Sequence, residues 1–422
     1  MKICFLFPPQ SGIAKKLFVS LLTALSFAAL FAAAFCFVRP VRLRVISSSM
    51  EPTLWGPHTG LSCPNCGSPF FVTVDGPDPD LKTEKLRFCS CPRCGCTEVP
   101  AATGLSYRGD FVFFSRFRPR ETERWDLAVY RRSDGSFAVK RVVGLPGETI
   151  ELKRGTVLIN GEPVPKPNQS WSNPDLELTW EEVPGRILFF NTLPRPVFDS
   201  EPEPPQRQPA PVTNLLRRYP SLENPAHTDF VNDYRITFPA FLLDGNSLIV
   251  NQGDRAWLLE KEEDHFLLRR VSLPAEEPER IFSLTAGDFG AAERFLVPRT
   301  DSGPVFTLSC TDGFLTLSAE GEILISVPNP PVSEVNLPVT CPFLFLTEDA
   351  DLFRLPSEKI RFRRDIGYGN LPPRRLADDE YFLLGDNPAV SDDSRFQAGP
   401  ILRRDLRKVI RTGTGPGARQ KE

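Results

Sequence analysis

The chain has 422 residues, 41% hydrophobic and 24% charged, which is enough apolar content for more than one packed core. Its formal net charge of −3 gives no global electrostatic case for nucleic acid as a partner. Proline, at 43 residues, is about twice its usual share and argues for turns and loops with little helix beyond the N-terminus, while histidine, at three residues, is scarce.

In chain order, the first predicted element is apolar. Leu17 to Val38 holds 22 residues without a charge, long enough to cross a hydrocarbon core as a helix. Lys15 and Lys16 precede it and Arg39, Arg42 and Arg44 follow, so charge alone does not orient it. A cleaved secretory signal is the alternative, because Ala32, Ala33 and Ala34 offer small residues. The run exceeds a signal h-region, and Phe35 and Cys36 extend it, so a retained anchor is expected.

The stretch VRLRVISSSMEPTLW then reads as a strand leading into a turn. Between positions 63 and 96 lie six of the ten cysteines, among them Cys63-Pro-Asn-Cys66-Gly and Cys91-Pro-Arg-Cys94-Gly. Paired C-x₂-C knuckles suit tetrahedral thiolate zinc, so Cys63, Cys66, Cys91 and Cys94 form a candidate structural zinc site. Disulfides are the alternative if this segment faces an oxidising compartment, and Cys89 and Cys96 leave the ligand set ambiguous.

Strand patterns return over YRGDFVFFSRF, RWDLAVYRR, FAVKRVVGL and TIELKRGTVLINGEPV, with a hairpin turn expected at Asn160-Gly161. The Pro-rich PRPVFDSEPEPPQRQPAP reads as linker. Many short apolar runs follow it, including RITFPAFLL, AWLLEKE, HFLLRRV, RIFSL, VFTLSC and PFLFLT. Their spacing suggests an all-β sandwich.

The chemistry starts from what is missing. Neither G-x-S-x-G nor H-E-x-x-H occurs, and His58, His227 and His265 read as loop or charged-flank residues without a partner motif. A nucleophilic serine here would need another base, and a lysine serves once burial lowers its pKa. Ser49 ends an apolar strand before a Pro-fixed turn, and Lys140 lies inside an apolar strand. Each alone is an ordinary surface residue.

Together the order S-x-S-M-x-P-T-L, R-W-D-L-A-V-Y, K-R-V-V-G-L-P-G-E and G-D-N-x-x-x-S-x-D-S-R behind an anchor resembles the type I signal peptidases. The resemblance spans about residues 13–56, 105–165 and 376–405. It implies Ser49 as nucleophile and Lys140 as general base. It implies an oxyanion site from the Ser49 N–H and the Ser47 hydroxyl, with Ser391 orienting the Lys140 amine. Asp393 and Arg395 would form a supporting ion pair, and Gly385-Asp386-Asn387 would shape the same wall.

The implied fold is mainly β, an N-terminal transmembrane helix followed by a coiled antiparallel catalytic core. That core carries a Cys-rich insert and a β-sandwich-like insert. The expected units are a tail and anchor over 1–40, a core from 41–56, 105–165 and 373–410, and a zinc-ribbon-like insert over 57–104. A β-rich insert over 166–372 and a tail over 411–422 complete them.

The implied function is removal of signal peptides from exported preproteins, with no catalytic cofactor. The implied location is the bacterial inner membrane, single-pass, with the catalytic domain outside the cytoplasm. Membrane lipid and secretion machinery are the expected partners, and nucleic acid is not one. Two other readings stand beside it: a self-cleaving Ser-Lys protease, and a catalytically inactive membrane-anchored binding module.

Overall fold

The computed structural model describes residues 20–24, 26, 40–64, 67, 69–73, 88–89, 99–100, 105–115, 122–166, 178–194, 207–209, 231–262, 265–274, 277–296, 305–329, 337–349, 360–396 and 399–413. Of the apolar run, Ser20–Ala24 and Ser26 are helical and the remainder lies outside the described residues. Among the described residues no helix is long and apolar enough to cross a membrane.

The described chain is mainly β. Its first twelve strands are β1 (Val41–Arg44), β2 (His58–Ser62), β3 (Pro69–Thr73), β4 (Phe88–Cys89), β5 (Val99–Pro100), β6 (Leu105–Tyr107), β7 (Phe111–Phe114), β8 (Leu127–Arg131), β9 (Phe137–Gly144), β10 (Thr149–Lys153), β11 (Thr156–Ile159) and β12 (Glu162–Pro163). The long middle section contributes β13 (Leu178–Val183), β14 (Arg186–Pro194), β15 (Arg207–Pro209), β16 (Tyr234–Pro239), β17 (Ser247–Asn251), β18 (Arg255–Lys261), β19 (His265–Ser272), β20 (Glu293–Leu296), β21 (Val305–Thr311), β22 (Phe314–Ala319), β23 (Glu322–Pro328), β24 (Phe343–Leu346) and β25 (Arg361–Arg364). The chain closes with β26 (Leu371–Arg375), β27 (Glu380–Leu384), β28 (Ile401–Leu402) and β29 (Leu406–Gly413).

Two curled antiparallel sheets hold the candidate site. One runs β1-β7-β29-β8-β9-β27-β28 and the other β12-β11-β10-β26. They meet across Val143, Ile150, Leu152, Val157, Ile366, Leu376 and Phe382. The Asn160-Gly161 turn is the expected hairpin. Both residues take positive φ, 53° and 88°, as a type I′ turn requires, and Ile159 pairs with Glu162 across it. The closing strand β29 runs to Gly413, three residues into the segment read as tail.

The middle strands build a second pair of sheets, β13-β14-β24-β17-β18-β19-β20 with β15 beside β14, and β23-β22-β21-β16-β25. Alternation places every second residue of β22 inward. Phe189, Phe343 and Phe345 from one sheet meet Phe238, Phe306 and Phe362 from the other in a shared core. Each such ring contributes about 1.5–3 kcal/mol by its burial. One apolar run departs from expectation. RIFSL lies in a 3-10 turn over Pro278–Ser283, because Pro278 fixes φ at its start and removes a ladder donor.

Two buried charge networks join this unit to the two sheets of the candidate site. Lys166, just after β12, pairs with Asp312 and, at 2.6 Å, with Asp365. Arg154, in the β10–β11 turn, pairs with Asp254, and its backbone N–H donates to the Asn370 side chain at 2.8 Å. A small three-stranded sheet, β3-β2-β6, lies between the serine turn and β7 along the chain.

Candidate active site

The serine segment is a tight turn with an apolar underside. Glu51 N–H donates to the Ser48 carbonyl at 3.1 Å and Leu54 N–H to the Met50 carbonyl at 2.8 Å. Met50 and Leu54 are buried with Val45, Val112, Phe114 and Val129. Burying Met50 turns its neighbour Ser49 toward partial exposure, and Ser47 is exposed. The two hydroxyls face each other at 3.3 Å.

Lys140 sits mid-strand on β9, between β8 and β27. Strand alternation puts Ala138 and Val142 on its face, and both belong to an apolar cluster with Ala128, Tyr130, Tyr381 and Leu383. The lysine is 1% exposed, and its ammonium donates to Ser391 Oγ at 2.9 Å. Burial pushes its pKa down to about 8, against the pull of Asp393, which favours the charged form. A substantial neutral fraction at mildly alkaline pH follows.

Asp393 is itself engaged. Arg395 donates to both of its oxygens, Nε at 2.8 Å and Nη2 at 3.0 Å, and the Gly385 N–H donates at 2.9 Å. Burial alone would raise its pKa, but Arg395 and Lys140 more than offset that, and its carboxyl stays below the usual range. Arg395 also donates to the Tyr368 and Pro388 carbonyls, at 2.9 and 3.0 Å.

The serine and lysine halves meet at the 385–391 turn. Asn387 donates twice to the serine turn, its N–H to the Ser49 carbonyl and its amide to the Ser48 carbonyl, each at 3.1 Å. A Cβ on Gly385 would collide with Ser391 Oγ on one side and the Ser49 carbonyl on the other. Glycine there lets the two halves close. The turn thus brings together Ser47, Ser49, Lys140, Ser391, Asp393 and Arg395. Among the described residues the hydrogen bond of Lys140 goes to Ser391 Oγ.

A clamp that sequence reasoning missed ties the same three segments together. Arg141 forks onto both oxygens of Asp386, which also accepts from Thr53 Oγ1 at 2.5 Å. All three residues lie within the motifs, and what the sequence does not show is that they pair. Arg141 follows Lys140, Thr53 closes the serine turn, and Asp386 follows Gly385. An arginine next to a motif lysine in an apolar strand is itself a signal that a buried carboxylate waits elsewhere.

Of the four candidate zinc ligands, Cys63 lies among the described residues, and Cys66, Cys91 and Cys94 lie outside them. Cys63 is buried, and the Gly67 N–H donates to its carbonyl at 2.9 Å with Gly67 at a φ of 71°. Elsewhere, the carboxylates of Asp233, Asp312 and Asp365 gather within 4.8 Å of one another. The Lys166 ammonium already occupies that cluster as the counter-charge. His58 departs from the loop reading, since it lies on β2, and His265 opens β19 directly after its charged flank.

Residues 101–184 match the family model for signal peptidase, peptidase S26. The match contains Lys140 and Arg141, and stops short of Ser49 on one side and Ser391 on the other. The chain is 40% identical over 77 residues to Signal peptidase I of Leptolyngbya laminosa, covering 18% of this chain and 34% of that protein. It is 38% identical over 61 residues to Signal peptidase I V of Bacillus subtilis (strain 168), covering 14% and 36%. The chain spans about a third of the length of these curated relatives.

Proposed function

We propose that this chain is a serine endopeptidase that removes signal peptides from exported preproteins, using Ser49 as nucleophile and Lys140 as base. The observation that carries the reading is Lys140. It is buried, with no directly paired carboxylate among the described residues, held by Ser391, and one glycine away from the turn that presents Ser49. The partial match to signal peptidases supports the substrate class.

In this mechanism neutral Lys140 takes the Ser49 proton as Oγ attacks the scissile carbonyl. The Ser49 N–H and the Ser47 hydroxyl receive the developing oxyanion, where preorganised donors contribute most. Collapse passes the proton from Lys140 to the leaving amine. Water then hydrolyses the Ser49 ester by the same route, with Lys140 again as base. Ser391 orients the amine. Asp393 and Arg395 fix the wall behind it, and their full pairing keeps Asp393 from capturing the lysine as a plain salt bridge.

The apolar run from Leu17 to Val38 is the proposed anchor, placing Ser49 near the extracytoplasmic face of the inner membrane, within reach of a preprotein's signal helix. Membrane lipid, and through it the secretion machinery, are the partners this reading carries. A structural zinc on Cys63, Cys66, Cys91 and Cys94 belongs to it as well. Four thiolates leave no open coordination position, so the metal would hold the insert and take no part in hydrolysis. Elemental analysis of protein prepared under reducing conditions should return about one zinc per chain. Metal-free protein with disulfides in this segment would reject that assignment.

The direct test is cleavage of a model preprotein by the purified full chain and by Ser49→Ala. The variant should keep its circular dichroism and lose at least about a thousandfold in rate. Near-parental turnover by Ser49→Ala would overturn the assignment.

A further inference from the structure

The Cys-rich insert leaves the proposed core after Gly56, and the chain packs back against the serine segment at Gly109 and Asp110. Its exit and re-entry enclose the serine segment. Val45 N–H donates to the Asp110 carbonyl at 2.8 Å and Asp110 N–H to the Trp55 carbonyl at 2.8 Å. The Trp55 N–H donates to the Asp110 carboxylate at 2.9 Å. Gly56 lies flat against the backbone of Ser47. A Cβ there would stand 2.9 Å from the Ser47 carbonyl oxygen and 3.0 Å from its nitrogen.

What holds Gly56 in place comes from the insert. His58 on β2 is buried, and its Nδ1 lies 2.8 Å from the Gly56 carbonyl. A carbonyl only accepts, so Nδ1 carries the proton. The ring is fixed on three sides: stacked on Tyr107 at 5.1 Å, edge-on to Phe71 at 5.4 Å, and tilted against Trp55 at 5.2 Å. Tyr107 is also its cross-strand partner on β6.

We propose that His58 is a positioning residue for the oxyanion side of the site. Its Nδ1–H bond, made inside an aromatic box of the insert, holds Gly56 against the Ser47 backbone and so fixes the Ser47 hydroxyl beside Ser49. This makes the small β3-β2-β6 sheet a brace for the reaction centre rather than an appendage. The inference rests on the proposed peptidase reading for its kinetic consequence, and on the geometry alone for its structural one.

The test compares His58→Phe, which keeps the ring and loses the donor, with His58→Asn, which loses the ring and returns a donor near the Nδ1 position. Gly56→Ala joins them, because its Cβ has only backbone to displace. Misplacing an oxyanion donor by about 1 Å costs up to about a hundredfold. His58→Phe and Gly56→Ala should therefore lower kcat by about ten- to a hundredfold with KM within about twofold. His58→Asn should recover to within about threefold of the parent despite a lower melting temperature. A purely structural histidine predicts the reverse order, with activity following ring packing, and that result overturns the proposal.

Hydrogen exchange of the Val45–Met50 amides in the same variants gives a readout independent of turnover. If the parent chain fails to cleave preprotein, the peptidase reading falls. Faster exchange in His58→Phe, restored in His58→Asn, still upholds the brace. Unchanged exchange in both refutes it.

Discussion

Among the described residues two lysines are buried, Lys140 and Lys166, and their surroundings act on them in opposite directions. Lys140, under the serine turn, has a hydroxyl as its hydrogen-bond partner and feels Asp393 only across a carboxylate already held by Arg395. Lys166, at the junction with the middle sheets, touches two carboxylates directly. Burial disfavours the ammonium at both sites. At Lys140 burial wins and the pKa falls to about 8. At Lys166 Asp312, Asp365 and Asp233 win, and the pKa rises above the ordinary lysine value. The number of unspent carboxylates within reach decides whether a buried lysine becomes a base or a clamp.

Removing each amine breaks the comparison most sharply. Lys166→Met leaves Asp312 and Asp365 buried without their cation, and breaking such a pair typically costs about 3–5 kcal/mol. Denaturant melts at pH 7 should show a loss of that order while any cleavage per folded molecule persists. Lys140→Met should do the reverse, ending cleavage and gaining stability on the order of 1–3 kcal/mol at pH 7. The sign follows from the depressed pKa. Below about 8 the lysine is protonated in both states and the folded state bears the full cost of burying the charge. That cost fades as pH rises from about 8 toward the unfolded value, so the gain from Lys140→Met should shrink by pH 10–11.

A smaller effect sharpens the junction. Three carboxylates share one lysine there, and burial raises the Asp233 carboxyl to about 7 against the pull of Lys166. An acid whose folded pKa is raised contributes stability at low pH that is lost as pH rises through about 7. Asp233→Asn should therefore gain on the order of 1–2 kcal/mol more at pH 8.5 than at pH 5.5. An equal effect at both pH values would show that Lys166 alone balances the cluster.

Local pattern makes much of this legible in the sequence. Alternation in β22, the Asn160-Gly161 hairpin and the order of the Ser, Lys and Gly-Asp-Asn motifs are short-range signals, carried by neighbouring residues alone. The charge networks are not readable in that way. Arg154 and Asp254 are 100 positions apart, and Lys166 and Asp312 are 146 apart. Each looks in sequence like a solvated turn charge, and nothing in its neighbours names the partner. His58 escapes the loop reading for the same reason. Its aromatic box is assembled from Trp55, Phe71 and Tyr107, which no periodicity connects. RIFSL has the composition of a strand, but apolar runs outnumber strand partners, and Pro278 decides against the ladder.

Lys140 is proposed as the base because, among the described residues, no carboxylate pairs with it directly. The pH dependence of kcat/KM for preprotein cleavage tests it most directly, since that profile reports the free enzyme's essential base. A rising limb with a midpoint near 8 is the expected result, set by the lysine's depressed pKa. A limb centred near the free lysine value of about 10.4, or a profile flat from pH 6 to 10, would rule out a buried Lys140 as the base.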